Sequence, residues 1–294
     1  GTVEGLDTEG DSVSSFTFAG FNTLWGDGEV DAFTIGANVD SSIVGRESEI
    51  AGLGGADTFT VNTDITFTAN ILGGDDADVF SIAGTTTGNL DGGTGNDRFV
   101  ITSTANVSSI NGGDNLDTLV SPGADAEFIL AATNSLTDGA AVTYVTNFSE
   151  LEILEGSSTD TLNATAYGTD LIIDFAAGSA SDTVLEVSGF TLLQGNAGNT
   201  NTLGADNAEN EWSITGTNSG ALNVGIAFTN FSQLEGGTSN DTFTLAGGSI
   251  GGSITGGGFT VDGADTLKGS NANTWWVIDG ENDGFVSSSQ ANAD

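Results

Sequence analysis

One short phrase recurs along the chain about every 20 residues, and it limits the possible folds more than any other feature. Each copy has an aliphatic residue, a Gly-rich polar turn, an aspartate, one further residue, and then Phe or Leu at the start of an alternating segment. The clearest copy runs from Leu90 to Phe99. The first five turn aspartates are separated by 26, 21, 19 and 20 residues; they are Asp31, Asp57, Asp78, Asp97 and Asp117. Because a pair of helices needs a longer repeat, this period indicates one coil of a parallel β-solenoid.

The segment after each turn alternates as a β-strand does, with large apolar residues at every second position. The residues predicted to point inward are Phe33, Ile35, Phe59, Val61, Phe80, Ile82, Phe99, Ile101, Phe243 and Leu245. We therefore predict an all-β fold, a right-handed parallel β-helix (β-solenoid) of about 20 residues per coil, because parallel crossovers are almost always right-handed. No linker composition interrupts the chain, so residues 1–294 are expected to form a single continuous solenoid.

Two longer gaps between turns, of 43 and 40 residues, are close to two coils each and contain a second phrase. Its fullest copy opens at Trp212 and closes with Phe228–Leu234, and a relative runs from Phe128 to Leu151. The four Trp residues are expected to pack in the core or at coil corners; they are Trp25, Trp212, Trp275 and Trp276.

The second phrase is split between the two ends of the sequence. An opening at Trp276 has no closing half, and a closing half at Phe18–Leu24 has no opening. We therefore expect the chain to be a segment or repeat unit of a longer chain or fibre. Its partners would be copies of itself, joined in tandem or stacked head-to-tail.

The composition excludes several kinds of chemistry. The chain has 41 acidic residues against 3 Lys and Arg, with no His, Cys or Met, and its net charge is −38. It therefore lacks the side chains for a Ser-His-Asp or Cys-His nucleophile, for a Cys/His zinc site and for disulfides. Three cations cannot neutralise a nucleic-acid backbone, so no nucleic-acid partner is expected. No stretch of roughly 20 apolar residues is present, so no membrane span is expected.

The turn at Gly92–Val100 fits every position of the G-G-x-G-x-D-x-U-x pattern, where U is a large apolar residue. It resembles the haemolysin-type calcium-binding repeat, which implies calcium as the cofactor and turn aspartates as its ligands. The chain as a whole is similar to the repetitive regions of giant bacterial surface adhesins and filament proteins of the filamentous-haemagglutinin type. The phrases that carry this likeness are Trp-x-Ile-x-Gly-x-Asn-x-Gly, Phe-x-Asn-Phe-x-x-Leu and the Gly-rich turns. The resemblance implies a secreted protein at the bacterial cell surface, possible calcium stabilisation and cell-surface glycans as possible partners.

Two interpretations of the turn aspartates stay open. Carboxylates stacked at ~4.8 Å repel each other unless a cation bridges them, which favours calcium. The candidate ligands are Asp75, Asp78, Asp97, Asp114, Asp117 and Asp241. Alternatively, the aspartates accept hydrogen bonds from backbone N–H groups of their turns, and Gly supplies the positive φ.

The function predicted from these features is structural. We expect a stiff stalk or fibre of an extracellular bacterial filament or giant adhesin, and no enzymatic activity. One alternative is a polysaccharide-binding or polysaccharide-degrading β-helix protein, which would use carboxylates as acid and base. Another is an ice-binding solenoid, since Thr-x-Thr pairs occur at Thr58 and Thr60 and at Thr66 and Thr68.

Overall fold

The structure is a computed structural model that describes residues 2–3, 16–17, 23–36, 49–123, 125–139, 142–176, 178–181, 183–257, 264–270, 275–280 and 283–287. Within these residues every regular element is a β-strand, and 25 of the 29 strands form one sheet in which most pairs are parallel. The predicted all-β parallel β-solenoid is confirmed. Most of the closing phrase at Phe18–Leu24 lies outside the described residues.

In chain order the strands are β1 Thr2–Val3, β2 Phe16–Thr17, β3 Thr23–Trp25, β4 Ala32–Ile35, β5 Glu49–Leu53, β6 Thr58–Val61, β7 Thr66–Phe67, β8 Asn70–Asp75, β9 Val79–Ile82, β10 Thr85–Thr94, β11 Arg98–Ile101, β12 Asn106–Asp114, β13 Thr118–Val120, β14 Glu127–Ile129, β15 Asn134–Thr137, β16 Thr143–Ser149, β17 Ile153–Asn163, β18 Ile172–Asp174, β19 Leu185–Gln194, β20 Thr202–Gly204, β21 Glu211–Gly216, β22 Ser219–Leu222, β23 Ile226–Thr229, β24 Gln233–Glu235, β25 Thr242–Leu245, β26 Ser253–Thr255, β27 Thr266–Lys268, β28 Trp275–Gly280 and β29 Asp283–Ser287.

The parallel strands stack in columns, one strand per coil. In the first part of the chain one column is β3, β5, β8, β10, β12 and β16. A second column, reached after each Gly-rich turn, is β4, β6, β9, β11, β13, β17 and β19. Later columns are β14, β17, β19 and β23; β18, β20, β24 and β26; and β21, β25 and β27.

Two antiparallel meanders interrupt this parallel pattern, which the sequence did not predict. Strands β14, β15 and β16 form one meander, and β21, β22 and β23 form the other. In each meander the third strand stacks on the preceding coil and the first strand stacks on the following one. The long gaps are therefore not two ordinary coils. In the second meander, Asn218 at φ 52° makes the tight turn that reverses the chain.

The hairpin of β28 and β29 repeats the first two strands of the second meander in the same register. Trp276 pairs with Val286 as Trp212 pairs with Leu222, and Ile278 pairs with Gly284 as Ile214 pairs with Gly220. Both hairpins also change register before the closing glycine. The opening phrase at Trp276 thus forms the same local structure as its internal relative.

The core consists of stacked side chains in these columns. Rings of successive coils lie face to face, with centroid distances of 5.2 Å for Phe33–Phe59, 4.9 Å for Phe59–Phe80 and 4.5 Å for Phe80–Phe99. All ten residues predicted to point inward are buried or pack partly buried against the core, so the predicted strand register is confirmed. Each fully buried Phe contributes about 1.5–3 kcal/mol by leaving water.

Core packing is found for Trp212 but not for Trp25 or Trp276, and the side chain of Trp275 lies outside the described part of the structure. Trp212 is buried and stacks on Phe243 at 5.3 Å. Trp25 and Trp276 keep 66% and 47% of their surface exposed, so neither packs in the core. Trp25 lies in β3, at the first edge of its column, where no described strand covers it.

Candidate functional site: the glycine–aspartate turns

Five turn aspartates of successive coils are joined by hydrogen bonds, and we call them the aspartate ladder: Asp31, Asp57, Asp78, Asp97 and Asp117. In each step the backbone N–H of one aspartate donates to Oδ1 of the aspartate one coil later. The N···O distances are 2.6 Å from Asp31 to Asp57 and 2.7 Å in each of the next three steps. The N–H of Asp117 continues the ladder by donating to Glu152 Oε2 at 3.0 Å. The ladder is thus directional, with donors facing later coils.

The same arrangement recurs further along the chain. Asn210 N–H donates to Asp241 Oδ1 at 2.8 Å, and Asp241 N–H donates to Asp265 Oδ1 at 2.9 Å. Leu171 N–H donates to Oδ1 of Asn201, which holds the equivalent turn position as an amide. The ladder is therefore a general feature of the turns.

Each ladder carboxylate packs against the backbone of a glycine five residues earlier. A Cβ added to Gly73 would lie within 3.0 Å of both Asp78 Oδ2 and the carbonyl oxygen of Gly92 in the next coil. Gly52, Gly92, Gly112 and Gly236 have the same relation to their own aspartates and to the next coil. The first glycine of the Gly-Gly pair is thus required by close approach of the carboxylate.

The second glycine of the pair is required by its backbone conformation. Gly74, Gly93 and Gly113 have φ of 118°, 107° and 113°, in the region that side chains rarely adopt. Leu53 occupies this position one coil earlier, because it pairs with Gly74, and it has φ 82°. The turn before Asp57 is therefore of full length and carries Leu in place of the second Gly.

Four of the five ladder carboxylates, together with Asp241, are buried, and one oxygen of each of these finds no hydrogen-bond partner among the described residues. Asp57, Asp78, Asp97, Asp117 and Asp241 are at most 1% exposed, and their Oδ2 atoms are the unpartnered ones. Burial raises the pKa of Asp78 and Asp117 to about 7 and that of Asp97 to about 6, although the accepted N–H bond acts in the opposite direction. Burial likewise raises the pKa of Asp57 and Asp241.

The charged groups around the ladder are themselves carboxylates. Asp31, Asp27 and Asp76 raise the pKa of Asp57, while Glu152 and Asp114 act in the same direction on the pKa of Asp117. The nearest cation in sequence, Arg98, pairs instead with Glu155 at 2.6 Å. The turn aspartates thus accept backbone N–H hydrogen bonds, as the second interpretation expected. The donors, however, belong to the neighbouring coil and not to the same turn.

The six predicted calcium ligands fall into two groups. Asp78, Asp97, Asp117 and Asp241 lie in the ladders, where one oxygen accepts an N–H and the other packs on glycine. Asp75 and Asp114 are exposed and lie two coils apart, with Thr94 between them in register. The Thr94 hydroxyl donates to Asp75 Oδ1 at 3.0 Å. The two groups do not form one site.

The buried ladder carboxylates do not fit calcium, because neither oxygen is open to a cation from solvent. The part of the chain that the structure describes also has no group of three or more Asp, Glu, His or Cys arranged to hold a metal. Of the predicted ligands, Asp75 and Asp114 are the two that face solvent. Calcium binding remains a prediction that concerns these exposed turns.

Sequence reasoning missed part of the ladder. The repeat pattern marks Asp31 and Asp57 as turn positions without selecting them as site residues, and it does not select Asn201, which carries an amide. A glycine that precedes the turn residue by five or six positions identifies all three. Gly26, Gly52 and Gly195 each lie against the carboxylate or amide of their own turn. The pairing of a glycine with an acid or amide five or six residues later could have shown the ladder.

A groove lies beside the first meander and borders the end of the ladder at Glu152. It has a volume of about 510 Å³, and its walls combine apolar residues such as Phe148 and Leu171 with Tyr167 and three acidic residues, Glu150, Glu152 and Asp170. An aromatic side chain beside carboxylates suits a neutral or cationic polar ligand.

No protein-family model matches the chain, and no curated protein is significantly similar to it. Among the described residues there is no helix long and apolar enough to cross a membrane.

Proposed function

We propose that this chain is a structural rod, a subunit or repeat of an extracellular bacterial filament or giant surface adhesin. One observation carries the proposal: a single bonding pattern is repeated coil after coil. From β4 to β11 each coil adds a stacked Phe ring, a ladder step and parallel backbone hydrogen bonds to the coil before it, and the next coils continue the column with Leu119 and Leu154. Stability in such an array adds approximately repeat by repeat.

The outer surface supports the same proposal. The outward positions on the strands after the turns are mostly polar, with Thr58 and Thr60 in β6 and Arg98 beside Val100 in β11. The net charge of −38 favours solubility and disfavours lateral clumping of parallel rods. The absence of Cys and the repeat-style resemblance to surface adhesins favour a location outside the cell. Stiffness, solubility and resistance to proteolysis are what a stalk or fibre requires.

Three measurements test the proposal. Electron microscopy of the purified chain should show straight particles of uniform width, and antibodies raised against the chain should label the surface of intact source cells. A compact particle, or labelling confined to the cell interior after permeabilisation, would contradict it. Limited proteolysis should leave the coils between Glu49 and Glu235 intact, since their parallel strands are paired to a coil on each side.

Calcium stabilisation of the rod is a separate part of the proposal. It concerns the exposed carboxylates Asp75 and Asp114. Column stacking of Asp75, Thr94 and Asp114 supplies oxygen atoms on one outer edge of the turns. Oxygen ligands are what calcium prefers.

Polysaccharide binding is the second candidate, and the groove beside the first meander favours it. Tyr167 offers an aromatic face and the nearby carboxylates and hydroxyls offer hydrogen-bond partners to a sugar. Titration of neutral and basic polysaccharides against the wild type and Tyr167→Ala tests it. Loss of binding in Tyr167→Ala, with an unchanged melting midpoint, is the expected result, and equal binding by both proteins would exclude this groove.

A further inference from the structure

The stack has two different ends, and each presents strand edges. At the first end, β3 and β4 pair with β5 and β6, and no other described strand pairs with them. At the second end, β26 and β27 pair in the same one-sided way with β24 and β25. Unpaired parallel edges carry rows of free N–H and C=O groups that favour pairing with another strand.

The aspartate ladder gives these two ends complementary chemistry. At the first end, Asp31 Oδ2 accepts the N–H of Asp27 at 2.9 Å, while no described backbone N–H donates to Asp31 Oδ1. At the second end, Asp265 Oδ1 accepts the N–H of Asp241, and the N–H of Asp265 has no acceptor among the described residues. One end therefore offers the acceptor of a ladder step and the other end offers the donor.

The apolar columns end in a matching way. Phe33 rests on Phe59 with its other face toward the first end, and Leu267 rests on Phe243 in register and is 40% exposed. The neighbouring strand at each end, β3 at the first end and β26 at the second, carries Leu24 and Ile254 respectively at the corresponding position. Inside the rod, Phe99 already pairs in register with Leu119 of the next coil. An aliphatic residue next to a Phe ring is therefore a pairing that this fold uses.

We propose that the partner of these ends is a second copy of this chain, stacked head-to-tail so that the second end of one copy continues into the first end of the next. In this register Leu267 covers Phe33, Ile254 covers Leu24, and the N–H of Asp265 donates to Asp31 Oδ1. The contact is heterologous, and because it continues the parallel stack in one direction it builds an open filament and not a closed ring. This inference rests on the proposed function, because it names the partner and the atoms by which a rod would be extended.

Electrostatics sets the condition for this assembly. Each copy carries a net charge of −38, and Asp27, Glu29 and Asp31 lie at the first end. Repulsion between exposed charges is screened by salt. The stacked form should therefore gain in population as the NaCl concentration rises, unlike an assembly held by salt bridges.

A cysteine pair tests the register, because the chain has no Cys of its own. Thr34 and Lys268 lie exposed on the outer faces of β4 and β27, one residue beyond Phe33 and Leu267. In the proposed stack they become neighbours on adjacent parallel strands, about 4.8 Å apart, within the Cα separation that a disulfide needs. Oxidised Thr34→Cys/Lys268→Cys protein should therefore give a series of bands at multiples of 29.4 kDa on a denaturing gel.

The controls separate this contact from others. Each single Cys variant can form two-chain species at most, and Thr34→Cys/Thr255→Cys places the second thiol in a different column, so neither should give a long series. In the absence of cysteines, Leu267→Asn should lower the mass measured by light scattering at high salt, whereas Val224→Asn, at a fully exposed position elsewhere, should not.

Two results would overturn the inference. One is a double variant that stays at the mass of a single chain at high protein concentration and high salt. The other is cross-linking that is as extensive in the Thr255 control as in the Thr34/Lys268 pair. If either occurs while microscopy still shows stiff single rods on the cell surface, the proposed function stands and only the end-to-end contact is lost.

Discussion

At the scale of single residues, the turns depend on glycines that touch the ladder. Gly73→Ala should destabilise the protein by more than about 3 kcal/mol, because its Cβ would overlap Asp78 Oδ2 and the Gly92 carbonyl, both of which are fixed by neighbouring coils. Gly28→Ala is the matched control, since a Cβ there meets nothing within 4 Å. It should change the free energy of unfolding by about 0.5 kcal/mol or less. Chemical denaturation of both variants measures the difference, and similar costs would contradict the close approach.

The amide at Asn201 shows what a neutral side chain does in the ladder. Its Oδ1 accepts the N–H of Leu171, as Asp78 Oδ1 accepts that of Asp57, and its Nδ2 donates to the Asn230 carbonyl in the next coil at 2.7 Å. The equivalent carbonyl near Asp78 Oδ2 is that of Gly92. A buried carboxylate at this place lacks the donor that an amide supplies, and leaving a buried polar atom unpaired is costly.

Asp78→Asn should therefore stabilise the protein above pH 7, in contrast to most substitutions of a buried residue. The new amide keeps the Oδ1 acceptor and adds a donor toward the Gly92 carbonyl, and it removes a buried charge. Asp78→Leu is the control, because it removes the acceptor as well and should destabilise. Thermal melting at pH 8 distinguishes them, and an Asn variant less stable than wild type there would show that the carboxylate is required.

At the scale of structural elements, the Phe column supplies the core and the outer strand face does not. Phe99→Ala should cost about 3–5 kcal/mol, since Phe99 is fully buried and stacks on Phe80. Thr58→Ala, on the outward side of β6, should change stability by about 0.5 kcal/mol or less. Equal costs in denaturant titrations would contradict the inward assignment.

The ladder as an element should make stability depend on pH. In the folded protein the pKa values of Asp78 and Asp117 are about 7 and that of Asp97 about 6, against 3.8 as the ordinary value. Between the ordinary pKa and the raised folded-state values, the folded protein binds more protons than the unfolded protein. The free energy of unfolding therefore falls as pH rises from 4 to 7. The fall continues through the folded pKa values and ends above them, where the three carboxylates are ionised in both states.

Melting curves measured at constant ionic strength from pH 4 to pH 8 check this dependence. Stability should be greatest near pH 4 and should decline through the folded pKa values. Asp78→Asn should flatten the decline, because it removes one of the three carboxylates whose pKa is raised most. A midpoint that rises steadily from pH 4 to pH 8 would mean that these carboxylates stay ionised throughout.

The elements also show what the sequence could reveal about this fold. The Phe column was predictable because every coil must fill the same interior position, so Phe59, Phe80 and Phe99 recur at the coil period. The meanders were not, since a strand such as β22 has too few apolar residues to show its direction. The ladder was only half visible: the aspartates recur, but a hydrogen bond between coils leaves no mark in one coil's sequence. Because Leu53 occupies the position of the second Gly, its turn could not be aligned with the other turns from the sequence.

At the scale of the whole molecule, charge is the dominant long-range force. The chain has 3 cationic side chains to set against 41 acidic ones, which leaves a net charge of −38. Carboxylates repeated at the coil spacing repel each other along the rod, and any added salt reduces this repulsion. Sodium alone should therefore raise the melting midpoint. A test for calcium has to separate a bound ion from this general screening.

Calcium at matched ionic strength should raise the midpoint further if the exposed turn carboxylates hold it. With the affinities of ~10⁻⁴ to 10⁻³ M typical of extracellular modules, ~10 mM calcium adds roughly 1.4–2.7 kcal/mol per site. The gain should disappear in Asp75→Asn/Asp114→Asn, whose residues face solvent, and should persist in Asp78→Asn, whose carboxylate is enclosed by the ladder. If chelator and calcium give the same midpoint once ionic strength is equal, the turns bind no calcium, and the hydrogen-bonded ladder alone accounts for the recurrence of aspartate.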